Sequence, residues 1–471
     1  MTVVDETREA RAEGGAPAGR RALIASALLA LFLAAADSTV VGSILPSMAR
    51  HLGHQELYPW LVSGFLLCSI LATAVSGAAA DRFGSRASMC VALGLFAAGS
   101  AGAAVAPGMV ALIAARAVQG LGAGAVVTLS YVLVGQVFDA AGRAKMQGLL
   151  SAVWGLAAVA GPALGSAAQA TIGWRWVFAA NLPLALVAAL VVARQAPGRT
   201  TEAAQCGRVD VPALTTFSVG LTALLVVLVS PALPVLVVAA VVAVAVIGLH
   251  LSQVRRDQSV SLVPTAMVTD RAARAAALVS IGASIVLYAS VTQLPLALTR
   301  TGAAGDAASG LVVLVASLGW VAGSAVCAGL LGKHGARKVA SGGAVLLVAG
   351  PAVLCLTPHP SLITAVVAQL LAGLGTGFTV ATALVQAQNA APAEQLGSYT
   401  GAVTLCRNIG AAIGVNLIAS IQHGAEEHLS GTAGSYRLAF AALAATGVLT
   451  LLATRRLSTT TPHSAGEMTH G

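Results

Sequence analysis

The sequence predicts an all-α polytopic membrane protein with about fourteen transmembrane helices, built as two parallel repeats of about six helices plus an inserted two-helix hairpin. Three observations predict this fold class. The 471 residues are 57% hydrophobic and only 9% charged. The apolar residues form many runs long enough to cross a bilayer as helices. Glycine and alanine crowd these runs, as expected where membrane helices pack backbone to backbone.

The predicted spans are apolar runs bounded by proline, glycine or charged residues. The first run is too long for a signal-peptide core and has no clear cleavage site, so we expect it to remain as helix 1. The predicted spans are 22–46, 57–80, 86–106, 109–137, 144–170, 175–194, 211–230, 233–253, 275–298, 308–331, 337–357, 361–390, 396–422 and 434–454.

The net charge of +9 indicates membrane topology and not nucleic-acid binding. Most of the 26 lysines and arginines lie in short loops on one predicted side, which the positive-inside rule assigns to the cytoplasm. Both termini are then cytoplasmic, and we expect a multi-pass protein of the plasma membrane. The 6 cysteines have no disulfide or metal-ligand spacing, so we predict no metal site.

The chain repeats itself at an offset of about 250 residues, as parallel repeats do. The segment Gly77–Arg86 is echoed by Ala328–Arg337, and Gly120–Gly124 by Gly373–Gly377. The predicted domains are a cytoplasmic tail at 1–20, a six-helix bundle at 21–195, linkers and the hairpin (about 211–253) at 196–256, a second six-helix bundle at 257–456, and a cytoplasmic tail at 457–471.

Two ionisable residues inside apolar segments are predicted to pair. Arg116 lies within the fourth predicted span and Asp37 within the first. An arginine in a membrane helix costs roughly 2.5–3.5 kcal/mol on insertion scales, so it needs a partner. Because the two helices run in opposite directions, their helical rise places both side chains at similar depth to within about one turn. We therefore predict an intramembrane ion pair.

The turn between helices 2 and 3 carries the first motif of a known family. Its residues resemble the G-x-L-a-D-r-x-G-r-r pattern of the major facilitator superfamily, and within it of the fourteen-helix drug:proton antiporters. In that family this turn locks the cytoplasmic gate, and its expected target here is the start of the thirteenth predicted span near Gly397. A solvated, charged turn is the alternative interpretation. The matching residues are Gly77, Asp81, Arg82, Gly84 and Arg86.

The segment Leu112–Gly124 resembles the family pattern L-x-x-x-R-x-x-Q-G-x-G, with Arg116, Gln119 and Gly120 in the matching positions. The resemblance implies a role for Arg116 in proton coupling through Asp37. A neighbouring arginine favours the charged carboxylate, whereas burial favours the neutral form, so their balance can change as the site opens. The alternative is a static ion pair that braces two helices.

Helix 5 resembles the antiporter motif G-x-x-x-G-P-x-x-G-G at Gly155, Gly161, Pro162 and Gly165. Proline removes a backbone hydrogen bond and glycine permits close approach, so this helix is expected to bend against a neighbour. In the family the motif accompanies export, which gives the predicted direction of transport.

Polar and aromatic residues on central helices are candidates for a substrate cavity. Arg407 is a second buried cation without an acidic residue at similar depth in its half, and Gly410 and Gly414 after it leave space for it to face a central cavity. This suggests a substrate that is neutral or carries an anionic or phenolate group. The alternative is that the Arg407 side chain extends to the membrane surface or donates to backbone carbonyls, without a role in substrate binding. The candidates are Gln119, Trp154, Asn181, Tyr288, Gln293, Arg407 and Asn408.

These motifs predict a proton-coupled antiporter that exports small amphipathic organic compounds such as drugs, antibiotics or secondary metabolites. The expected partners are the substrate, protons and the lipid bilayer, with no nucleic acid, and the energy comes from the proton gradient without a cofactor. A proton-coupled importer or uniporter is the alternative. The chain carries no nucleotide-binding G-x-x-x-x-G-K-[ST] motif, and no nucleophile–base pair that would indicate an enzyme. Oligomeric state and substrate identity stay open.

Overall fold

The structure is a computed structural model that describes residues 17–52, 57–196, 270–303, 306–357, 361–428 and 432–457, with isolated positions between 216 and 249. These residues are almost entirely helical. The predicted hairpin at 211–253 lies outside the described residues apart from those isolated positions, and so do most of the two predicted tails.

The first half of the described chain contains six helices that match the first six predicted spans. Each is long and apolar enough to cross a membrane. In chain order they are α1 (Pro17–Leu52), α2 (Tyr58–Phe83), α3 (Ser85–Ala104), α4 (Met109–Val137), α5 (Ala140–Thr171) and α6 (Arg175–Gln195).

The second half contributes five further long helices to the part of the chain that the structure describes. A 3-10 turn, Ala393–Gln395, connects the third of them to the fourth. They are α7 (Arg271–Arg300), α8 (Asp306–Leu356), α9 (Leu362–Ala390), α10 (Leu396–His428) and α11 (Thr432–Thr454). The helix α8 has 51 residues and contains the predicted spans 308–331 and 337–357, which are its two halves on either side of a bend.

The bend in α8 repeats the turn between α2 and α3. Gly335 in α8 has φ 76° and ψ 160°, and Gly84 between α2 and α3 has φ 84° and ψ 148°. This backbone conformation is essentially restricted to glycine. The two glycines occupy equivalent positions in the echoed segments Gly77–Arg86 and Ala328–Arg337, so the sequence repeat is also a repeat of local structure.

The glycines of α4 allow it to lie directly against its neighbours. A Cβ atom at Gly120 or Gly124 would overlap the backbone carbonyls of Phe65 and Ser69 in α2, and one at Gly122 would overlap the backbone of Phe96 in α3. These close contacts fix the rotation of α4 about its axis. Arg116, one turn before these glycines, is thereby held in the interior.

The described chain divides into two compact units. The first comprises residues 1–72, 79–137 and 161–206, and the second comprises residues 73–78, 138–160 and 207–471. The second unit therefore contains residues 73–78 of α2 and the first part of α5 together with the helices of the second half. The division within α5 falls between Ala160 and Gly161.

Candidate functional site

The structure brings Asp37 of α1 and Arg116 of α4 together, as their predicted depths require. Arg116 Nη1 lies 2.5 Å from Asp37 Oδ2, and the exposed fractions of the two side chains are 2% and 0%. An ion pair that is shielded from solvent is stable only if further hydrogen bonds satisfy the remaining polar atoms. The surrounding side chains supply these bonds to the carboxylate, whereas Arg116 Nε has no hydrogen-bond partner among the described residues.

Two amide side chains complete the coordination of the Asp37 carboxylate. Gln119 Nε2 donates to Asp37 Oδ1 at 2.8 Å, and Asn181 Nδ2 donates to the same oxygen at 3.2 Å. Gln119 Oε1 accepts from Arg116 Nη1 at 2.7 Å. Gln119 therefore bridges the anion and the cation. Gln119 and Asn181, which the sequence suggested as cavity residues, are ligands of the carboxylate in this structure.

Ser100 and Phe65 belong to the same site but were not predicted from the sequence. Ser100 Oγ accepts from Gln119 Nε2 at 2.8 Å and lies 3.5 Å from Asn181 Nδ2. The guanidinium carbon of Arg116 lies 3.9 Å from the centroid of the Phe65 ring, within the range of a cation–π interaction. A serine in an alanine-rich helix and a phenylalanine in a membrane span carry no signal that would identify them.

The second half contains an uncharged counterpart of this ion pair. Gly373 lies 253 positions after Gly120, and the same offset relates Ser290 to Asp37 and Gln369 to Arg116. Ser290 Oγ donates to Gln369 Oε1 at 3.0 Å, and both residues are buried. The two halves thus place polar side chains at equivalent positions, but only the first half places charges there.

The predicted gating turn is partly in contact with its expected target. A Cβ atom at Gly77 would overlap the Gly397 carbonyl and would lie 3.1 Å from Gly401 Cα, so α2 touches the start of α10 backbone to backbone.

The charged residues of the turn make other contacts. Arg86 donates from Nε and Nη2 to the Ala196 carbonyl at 2.8 and 2.6 Å. The Arg82 guanidinium lies 5.6 Å from the Phe83 ring centroid, and Asp81 is half-buried.

Helix α5 packs against α8 in its first part. A Cβ atom at Gly155 would lie 2.5 Å from the Val321 side chain, and the Trp154 and Trp320 rings have centroids 6.2 Å apart. Further along, a Cβ atom at Gly161 would overlap the hydroxyl of Thr39 in α1. The remaining motif residues, Pro162 and Gly165, follow within the same continuous helix. Trp154 therefore has an aromatic partner that the sequence did not predict.

Arg143, near the start of α5, binds the last turn of α9. Its Nη1 donates to the Gln388 carbonyl at 3.1 Å and to Asn389 Oδ1 at 2.9 Å, and its Nε donates to the Phe138 carbonyl at 3.0 Å. A cation at a helix C-terminus is favoured by the helix dipole. Because Gln388 Nε2 also contacts Thr400 of α10, this end of α9 is tied to two other helices.

The structure disperses the other predicted cavity residues over α7 and α10. Arg407 and Gln293 are buried, and Tyr288 and Asn408 are half-buried. The Gln293 Oε1 atom has no hydrogen-bond partner among the residues that the structure describes. The sequence suggested that Gly410 and Gly414 leave space beside Arg407, but both glycines lie against the α7 backbone at Ile281 and Ile285.

A model of a known protein family identifies the chain. The family described as the Major Facilitator Superfamily matches residues 27–415. The chain belongs to the Major Facilitator Superfamily. It is accordingly a multi-pass membrane protein from a family of transporters that act on small molecules and are not enzymes.

Relatives of this major facilitator protein include the efflux pump FUS6 of Gibberella moniliformis, which is 35% identical over 188 residues, covering 39% of this chain and 33% of that protein. The chain is 27% identical over 423 residues to the multidrug transporter protein MdtP of Bacillus subtilis, covering 88% of this chain and 77% of that protein. It is 38% identical over 204 residues to the acurin A biosynthesis cluster MFS-type transporter of Aspergillus aculeatus, covering 42% of this chain. This last match spans 36% of the fungal protein.

Solved structures of the superfamily share the fold. The human organic anion transporter MFSD10 aligns with a TM-score of 0.69 at 16% identity and covers 92% of this chain and 99% of that one. The proton:xylose symporter XylE aligns with a TM-score of 0.62 at 15% identity and covers 92% of this chain and 95% of that one. At such identities the similarity concerns the fold alone.

Proposed function

We propose that this major facilitator protein is a proton-coupled antiporter that exports small amphipathic organic compounds, such as drugs, antibiotics or secondary metabolites. In this proposal it belongs to the fourteen-helix drug:proton antiporters. It lies in the plasma membrane with both termini in the cytoplasm, and the proton gradient drives it without a cofactor.

The observation that carries the proposal is the ion pair of Asp37 and Arg116 in a site closed to solvent. The Asp37 side chain has an exposed fraction of 0%, so water contributes nothing to the stability of its charge in this conformation. Buried ionisable residues in membrane helices mark ion or proton pathways by default. A carboxylate whose charge depends on a few neighbouring groups can bind a proton when those groups rearrange.

The direction of transport follows from two independent features. The relatives include a multidrug transporter and an efflux pump, and the latter supports export over the alternative of an importer or uniporter. Helix α5 also carries the glycines and proline of the antiporter motif at 155–165. Export against a gradient needs a coupled ion, and Asp37 supplies a binding group for one.

The transport cycle that we propose is alternating access. The contact of Gly77 with Gly397 and the bonds of Arg143 to the end of α9 join the first half of the chain to the second. By the predicted topology both contacts are cytoplasmic, and we infer that they form the closed cytoplasmic gate. Protonation of Asp37 favours one state and substrate binding favours the other, so the two compete.

Proton release from purified protein tests this function. Detergent-solubilised protein in weakly buffered solution receives ethidium, norfloxacin or chloramphenicol, which are cationic, zwitterionic and neutral, while a dye reports pH. We expect at least one compound to release protons from the wild type and none from Asp37→Asn. Ser290→Ala changes the uncharged counterpart and should release protons like the wild type. Binding with equal proton release in Asp37→Asn would refute coupling at Asp37.

A further inference from the structure

The hydrogen bonds around Asp37 fit only the ionised carboxylate. Oδ2 accepts from Arg116, and Oδ1 accepts from the amide groups of Gln119 and Asn181. All three partners donate. A proton on either carboxylate oxygen would therefore point at another donor, and a buried donor without an acceptor is costly. The arrangement must change when Asp37 takes up a proton.

Gln119 is held in its present orientation by the cation. Its Oε1 accepts from Arg116 at 2.7 Å while its Nε2 donates to Asp37 and Ser100. Rotation of this amide by about 180° would turn its NH2 group toward the guanidinium, which has only donors. Gln119 is therefore a poor acceptor for a proton on Asp37 as long as Arg116 stays in place.

Asn181 has no such constraint. Both of its hydrogen bonds use Nδ2, and both are longer than those of Gln119, at 3.2 Å to Asp37 and 3.5 Å to Ser100. After rotation its Oδ1 atom would face the protonated Asp37 and the Ser100 hydroxyl. Each of these groups has a hydrogen to donate, so the rotated amide is satisfied on both sides.

Asn181 is also the member of this network closest to the surface. Asp37, Arg116, Gln119 and Ser100 have exposed fractions of 3% or less, whereas Asn181 is half-buried. Arg116 is the charged residue that contacts Asp37 among the described residues of the helices packed around it. Movement of the Asn181 side chain can therefore expose the carboxylate without breaking the ion pair.

We propose that Asn181 is a positioning residue for proton binding: its side-chain amide rotates, and its oxygen accepts the hydrogen bond that protonated Asp37 donates. In this step one O–H bond forms on Asp37 and one O–H bond of a hydronium ion breaks, which leaves a water molecule. The inference rests on the proposed function, because it presumes that Asp37 binds the coupling proton.

Carbodiimide labelling of Asp37 tests this role without a transported substrate. Dicyclohexylcarbodiimide reacts with protonated carboxyl groups, and mass spectrometry measures the labelled fraction of Asp37 in purified full-length protein across pH. In Asn181→Leu the anion loses only its longest hydrogen bond, at 3.2 Å, and keeps the shorter bonds from Arg116 and Gln119. The protonated carboxyl group, in contrast, loses its acceptor. We expect the midpoint of labelling to fall by roughly one pH unit, a tenfold weaker binding of the proton. An unchanged or raised midpoint would overturn the proposal.

Two further variants control for general effects. Asn181→Asp keeps an acceptor next to Asp37, and two carboxylates that share a site raise the proton affinity, so its midpoint should rise; a fall would also overturn the proposal. Asn416→Leu removes a half-buried amide of α10 that bonds the Ala412 carbonyl, and it should leave the midpoint unchanged. A shift equal to that of Asn181→Leu would refute a specific role of Asn181.

The failure of this inference is distinguishable from the failure of the proposed function. Wild-type labelling at Asp37 without any pH dependence would refute proton binding there, and the role of Asn181 with it. Wild-type labelling that titrates, with an Asn181→Leu midpoint that does not fall, would refute the role of Asn181 alone.

Discussion

Ser290 donates a hydrogen bond to Gln369 at the positions where the first half of the chain places Asp37 and Arg116. The contact between α1 and α4 in the first half thus has a charge on each side, whereas the equivalent contact between α7 and α9 in the second half has neutral groups. A neutral contact costs less to bury than an ion pair, so the charged version needs a reason beyond stability. Proton coupling would supply that reason for the first half alone.

Replacing Ser290 by alanine should affect stability but not coupling. The change removes the hydroxyl that bonds both the Leu287 carbonyl and Gln369 Oε1. The loss of this donor from the buried Gln369 Oε1 costs about 1–3 kcal/mol. We expect a lower thermal unfolding midpoint in detergent and an unchanged pH dependence of efflux in proteoliposomes. A changed pH dependence would mean that both halves take part in proton binding.

Removing Arg116 alone should be more harmful than removing the whole ion pair. Arg116→Leu leaves a buried carboxylate without its cation, and breaking a buried pair in this way costs about 3–5 kcal/mol. The double variant Asp37→Asn, Arg116→Leu contains no buried charge at this site. We expect it to regain most of the lost thermal stability while lacking proton release, as measured by thermal unfolding and pH-dye assays on the same preparations.

Equal stability of the single and double variants would contradict this expectation. A double variant that still released protons on adding a substrate would place the coupling group elsewhere in the chain.

The contact between α2 and α10 should not tolerate a side chain at Gly77. A Cβ atom there would overlap the Gly397 carbonyl, and overpacking of this kind costs about 1–3 kcal/mol. Gly77→Ala should therefore shift the protein away from the state with this contact. We expect slower efflux and faster maleimide labelling of a cysteine introduced at Thr400, which is buried beside Gly401.

Gly94→Ala is the matched control, because a Cβ atom at Gly94 in α3 would meet no atom within 4 Å. It should transport and label like the wild type. Slow labelling at position 400 in Gly77→Ala would show that this contact does not limit access.

The bonds from Arg143 should hold the end of α9 in place. Arg143→Ala removes the donors to Gln388 and Asn389, so hydrogen exchange in the last turn of α9 should become faster by mass spectrometry. Lys145→Ala removes an exposed cation two residues away and should leave that exchange unchanged. Equally fast exchange in Arg143→Ala and Lys145→Ala would mean that the loss of a positive charge, and not the loss of the Arg143 bonds, loosens the end of α9.

The sequence predicted the helices and the ion pair because both follow from one-dimensional patterns. Long apolar runs set the helix positions, and helical rise sets the depth of Asp37 and Arg116. The echo of Gly77–Arg86 in Ala328–Arg337 indicated a repeat, and the like backbone of Gly84 and Gly335 became visible only in the structure. The contact of Gly77 with Gly397 followed from a family resemblance and not from the composition of either helix.

The sequence could not predict which face of each helix points inward at the site. Depth alone is compatible with Gln119 and Asn181 in a substrate cavity, where we first placed them, and the structure instead turns both toward Asp37. Ser100 and Trp320 were missed because their roles depend on a neighbouring helix. The space imagined beside Gly410 failed for the same reason, since α7 fills it.

Because Asp37 and Arg116 are shielded from solvent, the ion pair should respond little to the salt concentration around the protein. Dissolved ions screen charges only where they can approach them, and these two side chains meet almost no solvent in this conformation. Their mutual attraction is then set by the neighbouring side chains and not by the medium. The salinity of the surroundings should therefore leave this attraction unchanged.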